Sequence, residues 1–156
     1  MSFIYGYLTL KQRNIWSLLK KGLSQSDIAN KFQISRQTVN KTLTTIRAKL
    51  SKALMEAARI NRIEVRRIDP LKGILVGYSP DLNSEVVITF SAKNGIQVWY
   101  KHEGDCEKCR MKEECMKTLL SEAEERGIKL SEKEKSKKPS ELAKILFSKI
   151  LSEVHE

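Results

Sequence analysis

The sequence predicts an α+β fold in three parts, because the spacing of its apolar residues changes twice along the chain. Up to Arg62 the apolar residues recur every three or four positions, which is the period of an amphipathic helix. From Ile63 to Lys101 they alternate with polar residues, which is the period of a half-buried strand. We expect a helical domain over residues 1–62, a small antiparallel β-sheet over 63–101, and a cysteine-rich segment with C-terminal helices over 102–156.

Three helices are expected in the N-terminal domain. The first ends at Gly22, and the second begins after Ser24, which together with Asp27 has the pattern of a capping box. The third begins after Ser35, a good N-cap. Gln33 then falls in a three-residue turn where a left-handed conformation is expected, at a cost of roughly 1 kcal/mol. Two short helices joined in this way have the layout of a helix-turn-helix.

The third helix is expected to be long, because nothing between Arg36 and Arg62 breaks a helix. Apolar residues along it have the spacing of a heptad seam. The seam can pack on the rest of the same chain or on a second copy in a coiled-coil dimer, and its alanines favour the first interpretation because they bury little apolar area. The seam residues are Val39, Leu43, Ile46, Leu50, Ala53 and Ala57.

The excess of positive charge is confined to the N-terminal part. The formal net charge of the 156-residue chain is +10, and residues 1–67 alone hold 14 basic and 3 acidic side chains. Clustered lysine and arginine neutralise phosphates and release condensed counterions, so a polyanionic partner is expected for this part. A solvated basic face that keeps the protein soluble is the alternative.

Four runs of sequence resemble known DNA-binding helix-turn-helix proteins: Leu8-Thr-Leu-Lys-Gln-Arg, Gly22-Leu-Ser-Gln-Ser-Asp-Ile-Ala, Ile34-Ser-Arg-Gln-Thr-Val and Ile46-Arg-Ala-Lys-Leu. They are similar to sigma-factor region four and to LuxR-type regulators. With the continuation Lys52-Ala-Leu-Met-Glu-Ala-Ala-Arg-Ile they resemble the archaeal Tfx-type DNA-binding proteins more closely still. The resemblance covers about the first 62 residues and implies chromosomal double-stranded DNA as the partner. A helix-turn-helix used only for protein contacts is the alternative.

Base recognition is expected at the start of the third helix, on the side away from Val39 and Leu43. Arginine matches guanine, and glutamine or asparagine matches adenine in the major groove. Lys20 and Lys21 are expected as further phosphate contacts. The expected DNA-binding residues are Lys31, Arg36, Gln37, Thr38, Asn40, Lys41 and Arg47.

The middle of the chain predicts four short strands. The last two flank Lys93-Asn94-Gly95, and Asn-Gly between alternating apolar runs is a strong hairpin signal. This part is electrically neutral, so we expect a dimerisation surface, a ligand-sensing platform or structural support rather than a second nucleic-acid surface. A homodimer through the third helix or through the sheet is a further expectation. The expected strands cover residues 63–68, 73–78, 84–90 and 96–100.

The C-terminal part is expected to be helical again. A helix should run from Met111 to Gly127, and the polar stretch from Ser131 to Pro139 is expected to be an exposed linker. Ser140 should cap a last amphipathic helix. Its apolar face is expected to contain Leu142, Ile145, Leu146, Ile150 and Val154.

All three cysteines of the chain lie within ten residues, at Cys106, Cys109 and Cys115, with His102 shortly before them. Cys-x2-Cys lets the thiolates of Cys106 and Cys109 reach one ion. Cys115 and His102 can complete a tetrahedral Cys3His site, so a structural zinc ion is expected. The spacing also resembles the iron–sulfur segments of Fnr and WhiB regulators, which use a fourth cysteine that this chain lacks. Three reduced thiols without a metal are the remaining alternative.

These features together predict a transcriptional regulator with a metal-stabilised or redox-sensing C-terminal module. The sequence contains no phosphate loop and no hydrolase or zinc-protease motif, so an enzyme is not expected. A nuclease with Asp69, Asp81 and Glu85 around a divalent ion is the enzymatic alternative, and a protein-binding scaffold is the third. No apolar run is long enough for a membrane span, and the expected location is the cytoplasm.

Overall fold

The computed structural model describes residues 8–101 and 105–152. Within them the chain forms three helices, a four-stranded antiparallel sheet and three further helices, so the predicted α+β class and order of elements are confirmed. No helix in these two ranges has the length and apolar character needed to cross a bilayer. The elements are α1 (Leu10–Lys20), α2 (Gln25–Phe32), α3 (Arg36–Ile60), β1 (Glu64–Asp69), β2 (Ile74–Ser79), β3 (Ser84–Ser91), β4 (Gly95–Tyr100), α4 (Lys112–Glu125), α5 (Glu132–Lys135) and α6 (Pro139–Ser152).

The turns that precede α2 and α3 follow local signals in the sequence. Ser24 caps α2 by accepting a hydrogen bond from the Asp27 amide at 3.1 Å, and the Asp27 carboxylate accepts one from the Ser24 hydroxyl. Ser35 caps α3 through the Thr38 amide at 3.0 Å. Gln33 has φ 53° and ψ 44°, the left-handed conformation predicted for this turn. The predicted caps and the three-residue connection are confirmed.

The heptad seam of α3 is buried inside this chain. All six seam residues are at most 9% exposed, because α1 and α2 cover the first half of the helix and the sheet covers the second. The interpretation that the seam packs on its own chain is therefore confirmed. A second copy has no access to the seam, so a coiled-coil dimer through it is incompatible with this packing.

The sheet is a simple meander in the order β1-β2-β3-β4, and each strand lies within one residue of its predicted bounds. The β3–β4 hairpin turns at Asn94-Gly95, where Gly95 has φ 65°. A bulge between Val65 and Arg67 interrupts the pairing of β1 with β2. The charged residues on β1 and this bulge are features that discourage pairing with another strand. A dimer through the sheet stays a prediction.

The sheet lies between two layers of helices. Val86 and Ile88 of β3 point to α1–α3, whereas Val87 packs with α4 and α6 on the opposite face. Trp99 of β4 and Phe147 of α6 meet with ring centroids 5.8 Å apart. The core between the sheet and α1–α3 therefore contains residues from both sides of the boundary predicted at residue 62. The core on the opposite face joins the sheet to the C-terminal helices.

The predicted exposed linker is wrong in part, because it contains the short helix α5. Ser131 and Glu134 form a reciprocal capping box, and the Glu134 carboxylate pairs with Lys149 of α6 at 3.0 Å. Pro139 is buried and starts α6, so Ser140 lies inside the first turn rather than capping it. Proline suits this position because the first helical amide has no partner in any case. Among the expected apolar residues of α6, Leu142, Leu146 and Ile150 are buried, Ile145 is half-buried, and Val154 lies outside the described residues.

A buried arginine fastens α4 to one end of the sheet. Arg126 is 5% exposed, and its guanidinium donates hydrogen bonds to the carbonyl oxygens of Lys72, Gly73 and Phe90. The same side chain donates to the Glu122 carboxylate at 3.2 Å. Glu122 is fully buried, so each charge has its partner inside the protein.

A second ion pair lies beside the first and joins α1 to α4. The Lys20 ammonium contacts the Glu125 carboxylate at 2.7 Å and lies 3.5 Å from the centre of a Trp16 ring. The amides of Ala92 and Lys93 donate to the same carboxylate at 3.0 and 2.9 Å. We call Lys20, Glu122, Glu125 and Arg126 the ionic junction.

Burial affects the two pKa values of the Lys20–Glu125 pair to different extents. Burial lowers the pKa of Lys20 from 10.5 to about 8, although the charge of Glu125 opposes the change. Burial would raise the pKa of Glu125, but the Lys20 ammonium and the hydrogen bonds outweigh it, so this pKa lies below its usual 4.5. The difference follows from depth, since the Lys20 side chain is 4% exposed and that of Glu125 is 15% exposed.

Replacing Arg126 with alanine should destabilise the protein strongly. The change leaves the Glu122 carboxylate buried without its partner and removes the donors to three carbonyl groups, so we expect a loss of about 3–5 kcal/mol in the free energy of unfolding. Urea denaturation followed by circular dichroism measures this loss. Lys135→Ala, which breaks an exposed pair with Glu132, is the control and should change little. Equal effects of the two variants would contradict the role of the junction.

Replacing Glu125 with glutamine should reduce the sensitivity of stability to acid. A carboxyl group whose pKa is lower in the folded state adds stability above the unfolded pKa and loses it as the pH falls through the folded pKa. The stability difference between wild type and Glu125→Gln should therefore be largest near pH 7 and shrink towards pH 3. Denaturant unfolding at several pH values measures it. Glu124→Gln, an exposed neighbour on α4, is the control. A difference that stays constant with pH would contradict the prediction.

Candidate functional site

The start of α3 forms a polar, exposed patch. Arg36, Gln37, Asn40 and Lys41 are exposed, whereas Val39 between them is fully buried. Within residues 8–101 and 105–152, no ion pair involves Arg36 or Lys41. We call Arg36, Gln37, Asn40 and Lys41 the α3 patch. Its side chains can meet a partner without first breaking an ion pair in the described part of the protein.

Thr38 differs from its predicted neighbours because its groups serve the helix cap. Its amide donates to the Ser35 hydroxyl, its own hydroxyl lies 2.8 Å from the same oxygen, and the residue is only half exposed. Thr44 is an exposed residue that sequence reasoning missed. It follows Asn40 by four residues and therefore lies on the same side of the helix, a spacing that could have identified it.

Lys31 and Arg47 are exposed but lie away from the patch. Lys31 is in the last turn of α2, before the connection to α3. Arg47 follows Arg36 by eleven residues, or roughly 16 Å along the helix axis. It borders a cavity of about 450 Å³ together with Gly22 and Ser24, close to the start of α2. The structure thus brings four of the seven predicted residues together in the α3 patch, and the other three lie outside this patch.

The expected phosphate contact by Lys20 is wrong. The side chain is buried and bound to Glu125, whereas Lys21 beside it is exposed. The partner of Lys20 lies 105 residues further along the chain, and no local pattern in the sequence indicates this pairing.

The three cysteines lie on one wall of a cavity of about 600 Å³ between the sheet and helices α4 and α6. Cys106 is buried and Cys109 is exposed, in a turn where the Cys109 amide donates to the Cys106 carbonyl at 3.3 Å. Cys115 lies in the first turns of α4 and is partly exposed. All three thiols are free.

The three thiols lie close enough to influence one another electrostatically. Burial raises the pKa of Cys115, and the negative charges of Cys109 and Cys106 in their thiolate forms raise it further. No group of three or more histidine, cysteine or acidic side chains in the described ranges could hold a metal ion. His102 lies outside those ranges. The zinc site and the alternative iron–sulfur site stay predictions.

The carboxylates considered for a nuclease take part in three separate contacts. Asp69, at the end of β1, accepts a hydrogen bond from the Lys72 amide at 3.2 Å. Asp81, in the β2–β3 turn, has its carboxylate 4.0 Å from the guanidinium of Arg62. Glu85 pairs with Lys101 on the opposite side of the sheet from α3. They form no common group for a divalent ion within the part of the chain that the structure describes.

No family model, curated protein or solved structure matches the chain. The resemblance to Tfx-type and sigma-factor proteins therefore rests on the motifs of the first 62 residues.

The three thiols should react at different rates in metal-free protein. Cys109 should be alkylated first because it is exposed, Cys106 last because it is buried, and Cys115 in between because burial disfavours its reactive thiolate. Mass spectrometry after short exposure to N-ethylmaleimide with a chelator present measures the order. Equal alkylation rates of the three thiols would contradict the differences in burial between Cys106, Cys109 and Cys115.

Anaerobically purified protein, analysed for metals and by absorption spectroscopy, is the companion sample. A bound metal should protect all three thiols together, and an iron–sulfur cluster would also be brown, unlike zinc. Protein that contains no metal, and whose thiols react in the same order without the chelator, would contradict the metal prediction.

Proposed function

We propose that this protein binds duplex DNA through α2, the turn and α3, and acts as a sequence-specific transcriptional regulator. The observation that carries the proposal is the α3 patch. It combines two cationic and two amide side chains at the exposed start of a helix whose opposite side is buried in the core. A helix that enters the major groove reads base edges with side chains at this position.

The α3 patch is held on a rigid support. The Ser35 hydroxyl caps the start of α3 by accepting from the Thr38 amide, and the buried Val39 and Leu43 fix the rotation of the helix. The patch side chains therefore share one defined direction before any partner binds, which reduces the ordering needed on binding. Arg36 has the donor geometry for guanine, and Gln37 and Asn40 have the amides that match adenine.

The distribution of charge supports the same orientation. The net charge of residues 1–67 is +11, from 14 basic and 3 acidic side chains, whereas the remaining residues are close to neutral. A phosphate backbone is therefore attracted to the α1–α3 side of the molecule rather than to α4–α6. Lys20 does not contribute, because its charge is buried beside Glu125.

A metal at the cysteines is the second part of the proposal. Cys106 and Cys109 share one turn and Cys115 begins the next helix, which is a ligand order that zinc sites use, with an iron–sulfur cluster as the alternative. An ion bound by these sulfur atoms would stabilise this segment, because the binding energy of a metal appears as folding energy where its ligands lie. His102 is the proposed fourth ligand.

The affinity of the full-length protein for duplex DNA should fall steeply with salt. Each neutralised phosphate adds about −0.9 to the slope of log affinity against log salt, so Arg36→Ala and Lys41→Ala should each make the slope shallower by about 0.9 if the residue contacts a phosphate. Fluorescence anisotropy over a range of salt concentrations measures the slope. Arg59→Ala is the matched control, because this exposed arginine lies on the same helix, roughly 35 Å away.

Site selection from random duplexes separates base recognition from phosphate contact. Gln37→Ala should relax the preference at one base position and leave the salt slope unchanged, because an amide neutralises no phosphate. A slope near zero in wild type would contradict DNA binding and would favour a protein-binding scaffold. An unchanged base preference would mean that Gln37 does not read a base.

A further inference from the structure

The cavity beside the cysteines is large enough for a small organic molecule. Its volume of about 600 Å³ lies in the range of roughly 300–1,000 Å³ that ligand sites occupy. One side is the face of the sheet that points away from α3, and the other consists of α4, α6 and the cysteine turn. Its apolar lining includes Val87, Trp99, Leu119, Ala143 and Phe147.

One of the three lysines that line the cavity forms no ion pair within residues 8–101 and 105–152. Lys101 pairs with Glu85 at 3.0 Å, and Lys112 pairs with Glu107 at 2.7 Å. Asp105, the other acidic residue of the lining, lies 3.8 Å from Lys108. Lys144 also lines the cavity and forms no ion pair with any residue of the described ranges. As far as the described residues go, the cavity therefore combines apolar walls with the positive charge of Lys144.

We propose that this cavity binds a small apolar organic anion, with a ring or alkyl chain against Trp99 and Phe147 and a carboxylate or similar group at Lys144. The apolar part of such a ligand leaves water by contacting the aromatic rings. The anionic group forms a charge-assisted contact with the Lys144 ammonium. Few polar groups and mainly apolar walls are the usual composition of a small-molecule site.

The cysteines give the site an internal reporter. Cys115 is partly exposed and lies on the cavity wall. A bound ligand should shield the Cys115 sulfur from reagents in solution. The rate at which an exposed lysine outside the cavity is chemically modified should not change. This readout depends on where the ligand binds and not on whether the protein binds DNA.

Two dyes of matched shape test the proposal on the full-length protein. 1-Anilinonaphthalene-8-sulfonate has an aromatic body with one negative charge, and N-phenyl-1-naphthylamine has the same body without the charge. We expect both to bind at one saturable site per chain, measured by fluorescence. In metal-free protein with a chelator present, we expect the sulfonate to slow alkylation of Cys115. Lys144→Glu should lower the affinity for the sulfonate about fivefold or more and leave the affinity for the neutral dye unchanged.

Two further variants control for location and for charge. Ser148→Trp places a large side chain at an exposed position that lines the cavity, and it should weaken both dyes at least tenfold while the urea unfolding midpoint stays that of wild type. Lys133→Glu makes the same charge change on α5, outside the cavity lining, and should leave both affinities unchanged.

Three outcomes would overturn the proposal. The first is the absence of saturable binding, as expected if another segment of the chain or a second copy fills the cavity. The second is equal affinity of the sulfonate for wild type, Lys144→Glu and Ser148→Trp, which would mean that the dye binds elsewhere. The third is that, in metal-free protein, Cys115 is alkylated at the same rate with and without saturating dye.

Discussion

The ionic junction is the interaction on which the arrangement of the three layers depends. Carbonyl groups at the ends of β2 and β3 need donors, because buried polar groups without partners are costly. Arg126 supplies three of these donors from α4, and Glu122 balances its charge. Lys20 and Glu125 extend the contact to α1. The position of α4, and with it the cysteine turn and the cavity, is thus fixed against both the sheet and the N-terminal helices.

One long helix determines which side chains the protein presents. The 25-residue α3 packs its first half on α1 and α2 and its second half on the sheet, and one continuous seam of apolar residues runs through both contacts. Because rotation about the helix axis is fixed along this whole length, Arg36, Gln37, Asn40 and Lys41 must face outwards. The exposed patch is therefore a consequence of core packing and requires no separate device.

Local signals in the sequence predict most of the helices and strands. They do not predict the contacts between elements that lie far apart in the sequence. Periodicity and caps such as Ser24 and Ser35 act within a few residues, so the helices, the strands and the left-handed Gln33 follow from them. The capping box at Ser131 is also a local signal, and the prediction of an exposed linker did not take it into account. The burial of Lys20 depends on Glu125, which the fold brings from 105 residues away. The cavity is formed by the sheet and two helices together, so no single stretch of sequence carries its signature.

The sheet separates the two proposed binding surfaces of this protein and is in contact with both, so they can influence each other through it. Residues of β3 and β4 alternate between its faces, so that Val86 and Val98 pack with the N-terminal core while Val87 and Trp99 face α6 and the cavity. Helix α3 contacts both strands directly. A ligand in the cavity affects DNA binding only if it favours one of two arrangements of these strands that differ in the position of α3. In that case the coupling is reciprocal, and bound DNA changes the affinity for the ligand by the same factor as the ligand changes the affinity for DNA.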